Sequence, residues 1–256
     1  MIPQEQILSY LRKNPLKNIT PLKMLTAYHQ VMDSILIEQN KEWGILLLLP
    51  AKAFPYDQEA YPQADLVVMM DCSSPEVIPA LVRRLPPDAK LVFKLQQENR
   101  IAVQEHLSLQ PVCSFYSYTA SAGRHFPYDN ESVLSETLHE RLLPLWRANG
   151  YSSEELEHYF QEGAFSVSIF DGSAPLSTCF IFRNTEQIWE IGGVHTAAAG
   201  RRKGFAQRLV RTAVYHILQR GYVPRYQVLD TNLPSVRLAE SAGLTLAVKL
   251  EHWTNY

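Results

Sequence analysis

Val194-His195-Thr196-Ala197-Ala198-Ala199-Gly200-Arg201-Arg202-Lys203-Gly204-Phe205-Ala206 is the stretch on which the reading of this chain turns. A strand-like pattern, Ile188 to His195, ends inside it, and a loop of small residues follows. Apolar residues then recur at helical spacing, at Phe205, Leu209, Ala213, Val214, Ile217 and Leu218, until Gly221 stops them. The N-terminus of a helix offers unpaired N–H groups and the positive end of the helix dipole, so this turn favours a phosphate or diphosphate. Gly204 lets such a group approach the backbone with no Cβ in the way, and the small Ala206 keeps the next turn close. The charges agree: between Glu190 and Asp230 there is no Asp or Glu but there are seven Arg or Lys, in a chain whose formal net charge is -2. Arg208, Arg211 and Arg220, farther along the helix, read equally well as a solvated basic face. A Rossmann G-x-G-x-x-G fingerprint is absent, and so is a Walker loop, because Lys203 precedes its glycine.

Outward from this segment the chain alternates strands and helices. On the N-terminal side, Phe165–Phe170, Leu176–Arg183 and Ile188–His195 read as three antiparallel strands joined by hairpins. Before them Ser152 and Glu155 form a capping box that opens a helix to Gln161, and Glu131–Trp146 reads as a helix interrupted near Pro144. Val112–Tyr118 reads as a strand. On the C-terminal side a strand over Tyr226–Leu229, a helix over Ser235–Ser241 closed by Gly243 and a strand over Leu244–Trp253 complete the pattern. The first hundred residues carry helical spacing at Gln4–Leu11 and Leu22–Glu38. Strand-length apolar runs follow at Gly44–Leu49, Leu66–Met70 and Leu91–Leu95, with a helix over Pro75–Leu85. The texture changes near Pro111, which predicts an N-terminal α/β domain over 1–108, without a phosphate signature, and a second domain over 109–256.

Composition bounds the function classes. The 256 residues hold 24 Lys+Arg, 26 Asp+Glu and 46% hydrophobic side chains, ordinary values for a globular protein. The balanced charge gives no global attraction to nucleic acid or an anionic membrane, so neither is expected as a partner. The longest aliphatic run, Ile45–Leu49, is far shorter than the roughly 20 residues of a membrane span, and the first residues lack a signal-peptide core. Cys72, Cys113 and Cys179 are scattered, which points to a reduced, cytoplasmic setting. Cys113 and Cys179 lie in strand runs and are expected to be buried and inert. His125, His139 and His158 have no metal-ligand spacing, so no metal is expected.

Arg201-x-x-Gly204-x-Ala206 resembles the Arg/Gln-x-x-Gly-x-Gly/Ala signature of the GNAT superfamily of acyl-CoA-dependent acyltransferases. The strand ending at Val194 and the Asn232-x-x-Ser235 sequence before Leu238 to Gly243 match the superfamily's surroundings of that signature, and the resemblance covers residues from about 111 to 256. It implies an α/β (α+β) fold whose C-terminal part is a mixed, mostly antiparallel sheet flanked by helices. The first domain resembles, loosely, the degenerate GNAT half of the glycine N-acyltransferase type, and would narrow the acceptor cleft. In the implied site the backbone of Arg201, Arg202, Lys203, Gly204, Phe205 and Ala206 holds the CoA diphosphate. The strand edge around Val194 and Thr196 pairs with the pantetheine arm, and Asn232 and Ser235 meet the cofactor from the other side. The strands flanking the signature helix splay to admit the thioester, and the N–H of Val194 polarises its carbonyl.

Direct attack by an amine on a thioester needs an oxyanion donor and a proton acceptor but no enzyme nucleophile, and no Ser-His-Asp or Cys-His motif is visible. Glu190 is the first candidate base, lying in an apolar strand on the face that strand alternation gives Val194. It also stands six residues before Thr196, as the base glutamate of the glycine N-acyltransferase branch does before its threonine. His195 is the second candidate, although simple alternation puts it on the opposite face. The fourth-helix tyrosine that protonates the leaving thiolate in many relatives is replaced by Ala239. Trp146, Tyr151, Tyr159 and Phe160 lie on the helices that border the acceptor in the superfamily, and aromatics at helical spacing are as readily core residues.

The resemblance therefore implies an N-acyltransferase, with acetyl the expected acyl group, moving it from acetyl-CoA or another acyl-CoA to the primary amine of a small molecule or amino acid. Two further readings stay open: a catalytically silent acyl-CoA-binding regulatory module, and a protein lysine or N-terminal acetyltransferase. Acceptor identity, acyl chain length and oligomeric state are not encoded legibly.

Overall fold

The computed structural model describes residues 4–256. The chain divides into two compact units, one running to Phe115 and including Val248–Tyr256, the other Tyr116–Ala247. In the first unit α1 (Gln4–Leu11) and α2 (Ile19–Tyr28) precede β1 (Asp33–Gln39) and β2 (Glu42–Pro50). They are followed by α3 (Pro55–Ala60), β3 (Leu66–Cys72), α4 (Ile78–Val82), β4 (Leu91–Gln96), α5 (Gln97–Gln104) and the start of β5 (Gln110–Thr119). β1, β2 and β3 are antiparallel neighbours, and β4 runs parallel to β3. Both faces of this sheet are covered. Ile45, Leu47 and Leu49 of β2 pack with Ile7, Leu11 and Leu25, whereas Leu46 and Leu48 pack with Ile78, Leu81 and Val103. Burial on both sides explains why β2 reads as an unbroken apolar run instead of an alternating one.

In the second unit β6 (Val133–Ser135), α6 (Leu143–Arg147) and α7 (Ser153–Gln161) lead into β7 (Phe165–Asp171), β8 (Ala174–Arg183) and β9 (Ile188–Thr196). Then come α8 (Phe205–Gln219), β10 (Val223–Leu229), α9 (Leu233–Ala242) and the start of β11 (Thr245–Thr254). The pairing β6-β7-β8-β9 is antiparallel throughout, and β10 lies parallel to β9. One face carries α8 and α9 on a core of Val167, Cys179, Ile181, Ile191, Leu209, Ala213 and Tyr226. The other carries α6 and α7 over Phe180 and Phe182, with Trp146 and Leu156 fully buried. The capping box forms as expected, Ser152 Oγ accepting from the Glu155 N–H at 3.1 Å.

Three sequence expectations are corrected. The helix read over Leu22–Glu38 ends at Tyr28, and after a turn the chain enters β1 at Asp33, in which Ile35 and Ile37 pair opposite Leu46 and Gly44. In so short a window the spacing of Ile35 and Ile37 satisfies a period of two, and the ladder offered by β2 decides the outcome. The helix read over Glu131–Trp146 is instead β6, paired with Ser166–Ser168, followed by the short α6 with Pro144 in its first turn. The last strand, assigned to the second domain, joins the first unit: Leu250–Thr254 pair antiparallel with Val92–Gln96. Its polar residues are partnered there, the Glu251 carboxylate lying 2.9 Å from Arg100 Nε and 2.8 Å from Lys249 Nζ. The division accordingly falls at Phe115/Tyr116 and not at 108/109. Among the described residues no helix is long and apolar enough to cross a membrane.

Candidate functional site

The segment from Thr196 to Ala206 forms a backbone cradle. β9 passes through the turn Ala198–Gly200 into α8, which starts at Gly204 with no side chain capping it and no acid in its first turn. Its first N–H groups therefore remain unpaired; Arg208 is the first to reach back, to the Gly204 carbonyl at 3.1 Å. Gly204 has φ 78°, and Arg202 is also left-handed at φ 61°, whereas Arg201 is extended at φ -65°. The anion-binding feature here is the uncapped start of α8, whose free N–H groups and dipole favour negative charge. A left-handed φ at a non-glycine residue costs about 1–3 kcal/mol, so Arg202 holds that conformation against a local penalty. Nothing lies within 4 Å of where a Gly204 Cβ would stand.

The cations sort themselves by partner. Arg208 is bound to Asp129 at 2.8 and 2.9 Å and to Glu131. Arg211 donates to the Ser241 and Ala242 carbonyls at the end of α9, and Arg220 pairs with Glu136 at 2.9 Å. These three are structural. Arg201, Arg202 and Lys203 are exposed, and among the described residues none of them is in an ion pair; Arg201 Nε donates to the Thr196 carbonyl at 3.3 Å. Phe205 and Ala206 are half-buried at the base of the cradle.

Beside the cradle the sheet opens. β9 and β10 pair only through Val223↔Ile188, Pro224↔Trp189 and Arg225↔Glu190. Beyond that point Ile191–Thr196 and Tyr226–Leu229 are no longer paired, leaving a gap that leads to the start of α8. The splay inferred from the sequence is thus present. Of the two edge residues expected to meet pantetheine, Val194 uses its carbonyl to accept from Asn149 Nδ2 at 3.2 Å, and Thr196 Oγ1 lies 2.8 Å from Ser177 Oγ.

The faces of β9 differ from simple alternation. Glu190 pairs opposite Phe182, Gly192 opposite Phe180 and His195 opposite Thr178, so Gly193 and Val194 together oppose Cys179. This is a β-bulge at Gly193, whose φ is 58°. One extra residue inverts everything after it. His195 therefore shares a face with Glu190 and Gly192, and Val194 turns to the opposite face against the α8 core. A Cβ at Gly193 would lie 2.4 Å from Phe180 and 2.9 Å from Trp146. Gly193→Ala is expected to lower stability by about 2–3 kcal/mol, from the left-handed φ and the overpacking together. Chemical denaturation measures it, and a loss under about 0.5 kcal/mol would show that the bulge is not required.

Glu190 is a half-buried strut. Its Oε2 accepts from Arg225 Nη1 and from Asn184 Nδ2, and Arg225 Nε in turn donates to Ser117 Oγ at 3.2 Å. Tyr151 stands beside the bulge, its hydroxyl 3.1 Å from where a Gly192 Cβ would lie, and burial, with Glu190 adding to it, pushes its pKa up to about 12. Tyr159 lies 4.4 Å from Phe182 and, with Trp146 and Phe160, builds the small core on this face. On the other side of the opening, Tyr226 of β10 is buried, which raises its pKa, and Ser235 of α9 acts in the opposite direction. Asn232 caps α9, its Oδ1 accepting from the Ser235 N–H at 3.3 Å. Ala239 is fully buried. His195 Nδ1 lies 2.9 Å from Asn149 Oδ1, and burial and then Arg201 lower the pKa of its imidazole.

Arg225, Asn149, Tyr151 and Tyr226 carry contacts that the sequence did not assign to them. A glycine pair inside a strand, Gly192-Gly193, is the available signal for the bulge. Nothing local marks Asn149, which meets His195 only through the fold. Cys179 is buried as expected, with its thiol pKa pushed up to about 12 by burial; Cys113 is only half-buried. Among the described residues no group of three or more His, Cys, Asp or Glu is placed to hold a metal ion.

Residues 134–244 match the acetyltransferase (GNAT) family. No curated protein matches the chain. Solved structures share its fold at low identity. A GNAT-family acetyltransferase from Colwellia psychrerythraea is 11% identical, covering 97% of this chain and 96% of its own, with a TM-score of 0.61. A GCN5-related N-acetyltransferase from Kribbella flavida is 13% identical over 91% and 93%, with a TM-score of 0.55. A tandem GNAT protein from the clavulanic acid biosynthesis pathway is 10% identical over 93% and 87%, with a TM-score of 0.51. The fold is that of the GNAT superfamily.

Proposed function

We propose that this protein is an acyl-CoA-dependent N-acyltransferase, with acetyl-CoA as the donor and the primary amine of a small molecule or amino acid as the acceptor. The observation that carries this reading is the cradle itself: an uncapped helix start with left-handed Arg202 and Gly204 and three exposed cations that form no ion pair among the described residues, at the open end of the β9–β10 gap. Those residues fit a diphosphate by charge, by free N–H donors and by open space. The gap fits an extended arm that pairs with a strand edge. Arg201–Ala206 would hold the diphosphate, the edge from Ile191 to Thr196 the pantetheine, and Asn232 and Ser235 the opposite side.

A bound acyl-CoA supplies the activated acyl group; the chain supplies proton transfer and orientation. Glu190 Oε2 is occupied by Arg225 and Asn184, so this carboxylate positions Arg225. His195 is neutral near pH 7, lies on the same face and takes the proton that the amine sheds as its C–N bond forms. As the C–S bond breaks, the departing thiolate takes a proton from the Tyr226 hydroxyl, in place of the tyrosine absent at Ala239.

A degenerate half of the same fold is the reading we give the first unit, since its three antiparallel strands, helix, parallel strand and helix follow the order of β7 to α9 apart from α3, inserted between β2 and β3. Its equivalent turn, Asp71-Cys72-Ser73-Ser74-Pro75, has neither glycine nor cation. Asn99 Nδ2 donates to the Met70 carbonyl at 3.0 Å, and Asp71 is paired with Lys17 at 2.8 Å, so the end of β3 is filled by its own side chains.

Calorimetric titration with acetyl-CoA tests the binding site, and thiol release in the presence of an amine panel tests the chemistry. His195→Ala is expected to leave acetyl-CoA affinity within about twofold and to reduce turnover about 100-fold. Binding without turnover for any amine would make the protein a silent acyl-CoA-binding module; absence of binding heat would overturn the reading.

A further inference from the structure

We infer that Asn149 is a positioning residue that locks the His195 ring as its Nδ1–H tautomer and so reserves Nε2 as the proton acceptor. Two contacts settle the orientation of the Asn149 amide. Its Nδ2 lies 3.2 Å from the Val194 carbonyl, and its Oδ1 lies 2.9 Å from His195 Nδ1. A carbonyl only accepts, so the amide nitrogen must face Val194; the flipped amide would set two acceptors against each other. Its oxygen, also an acceptor only, then faces Nδ1, and the hydrogen of the neutral ring sits on Nδ1. Nε2 is left with its lone pair.

Both contacts depend on the bulge. Val194 and His195 follow Gly193, and the inversion there presents the Val194 carbonyl and the imidazole to one loop residue between α6 and α7. A single amide thus ties down the displaced strand and the ring it displaces. The surrounding charges favour the neutral ring. Arg201 acts on His195 directly; Arg147 of α6 is held on Ser153 at 2.6 Å; Glu190 on the same strand is paired with Arg225; and β8 presents the uncharged Ser177 and Thr178. The geometry stands without the acyl-transfer reading, whereas the purpose given to it, proton acceptance from the acceptor amine, rests on that reading.

Nitrogen-15 NMR of the full chain, without ligand, reads the tautomer and the titration of His195. The wild-type ring is expected as Nδ1–H, titrating below the ordinary imidazole value. Asn149→Ala is expected to give a tautomer mixture and, with acetyl-CoA and the best amine of the panel, about tenfold slower turnover at unchanged acetyl-CoA affinity. Asn149→Asp keeps an acceptor for the Nδ1–H but adds charge. It is expected to retain the tautomer and to move both the titration and the acid limb of kcat/KM up by about one pH unit or more. An Nε2–H ring in the wild type, or a tautomer and acid limb unmoved in both variants, would overturn the inference. Failure of the acyl-transfer reading would appear separately, as no binding heat with acetyl-CoA while the tautomer is as expected.

Discussion

A variant in which Arg201, Arg202 and Lys203 are all alanine is expected to bind CoA roughly 150-fold more weakly than the parent, with pantetheine binding changed less than about threefold. The three side chains flank the start of α8, are exposed, and form no ion pair among the described residues. Each charge-assisted contact to a diphosphate at such a position contributes about 1 kcal/mol, about 3 kcal/mol in all, which is the factor stated. Pantetheine has no diphosphate, so it gauges the β9 edge alone. The parent's affinity should fall as salt rises and the variant's should hardly respond, because screening acts on the charges that the variant lacks. Equal losses for CoA and pantetheine would show that these residues support the fold of the cradle and not the anion.

The second large effect concerns stability. The Arg225 and Glu190 side chains are 4% and 14% exposed, and each is the other's counter-charge. Arg225→Met leaves the Glu190 carboxylate half-buried beside an apolar side chain, which is expected to cost about 3–5 kcal/mol and roughly 10 °C of melting temperature. Glu190→Leu added to Arg225→Met removes the orphaned charge as well, and more than half of the loss should return. Thermal melts of the two single variants and the double variant measure this cycle. A single variant within about 1 kcal/mol of the parent, or a double variant worse than either single, would contradict the account of Glu190 as a strut.

Glu190 is the first candidate base in the sequence because its counter-charge is invisible there. A lone carboxylate in an apolar strand implies desolvation, and desolvation is what tunes such a group for proton transfer. Its counter-charge, Arg225, is on β10, thirty-five residues later and beyond a whole helix. No local pattern links the two; the parallel register Arg225↔Glu190 does. The face expected for His195 is corrected for a related reason: period-two counting cannot register an inserted residue.

What the sequence by itself determined about this protein is the cradle and the order of elements around it. Helix start, glycine and cations lie within six consecutive residues, and their geometry follows from backbone dihedrals and the ends of one helix, which are short-range physics. The long amphipathic α8 and the three hairpin strands before it were legible for the same reason. Only the tertiary structure decided which side chains face the opening: the bulge at Gly193, the Glu190–Arg225 pair and the Asn149–His195 contact. It also decided that β11 pairs with β4. Each of these depends on a strand partner or a packing neighbour distant in the chain, and the energy of pairing across that distance is written in both partners at once, not in either segment alone.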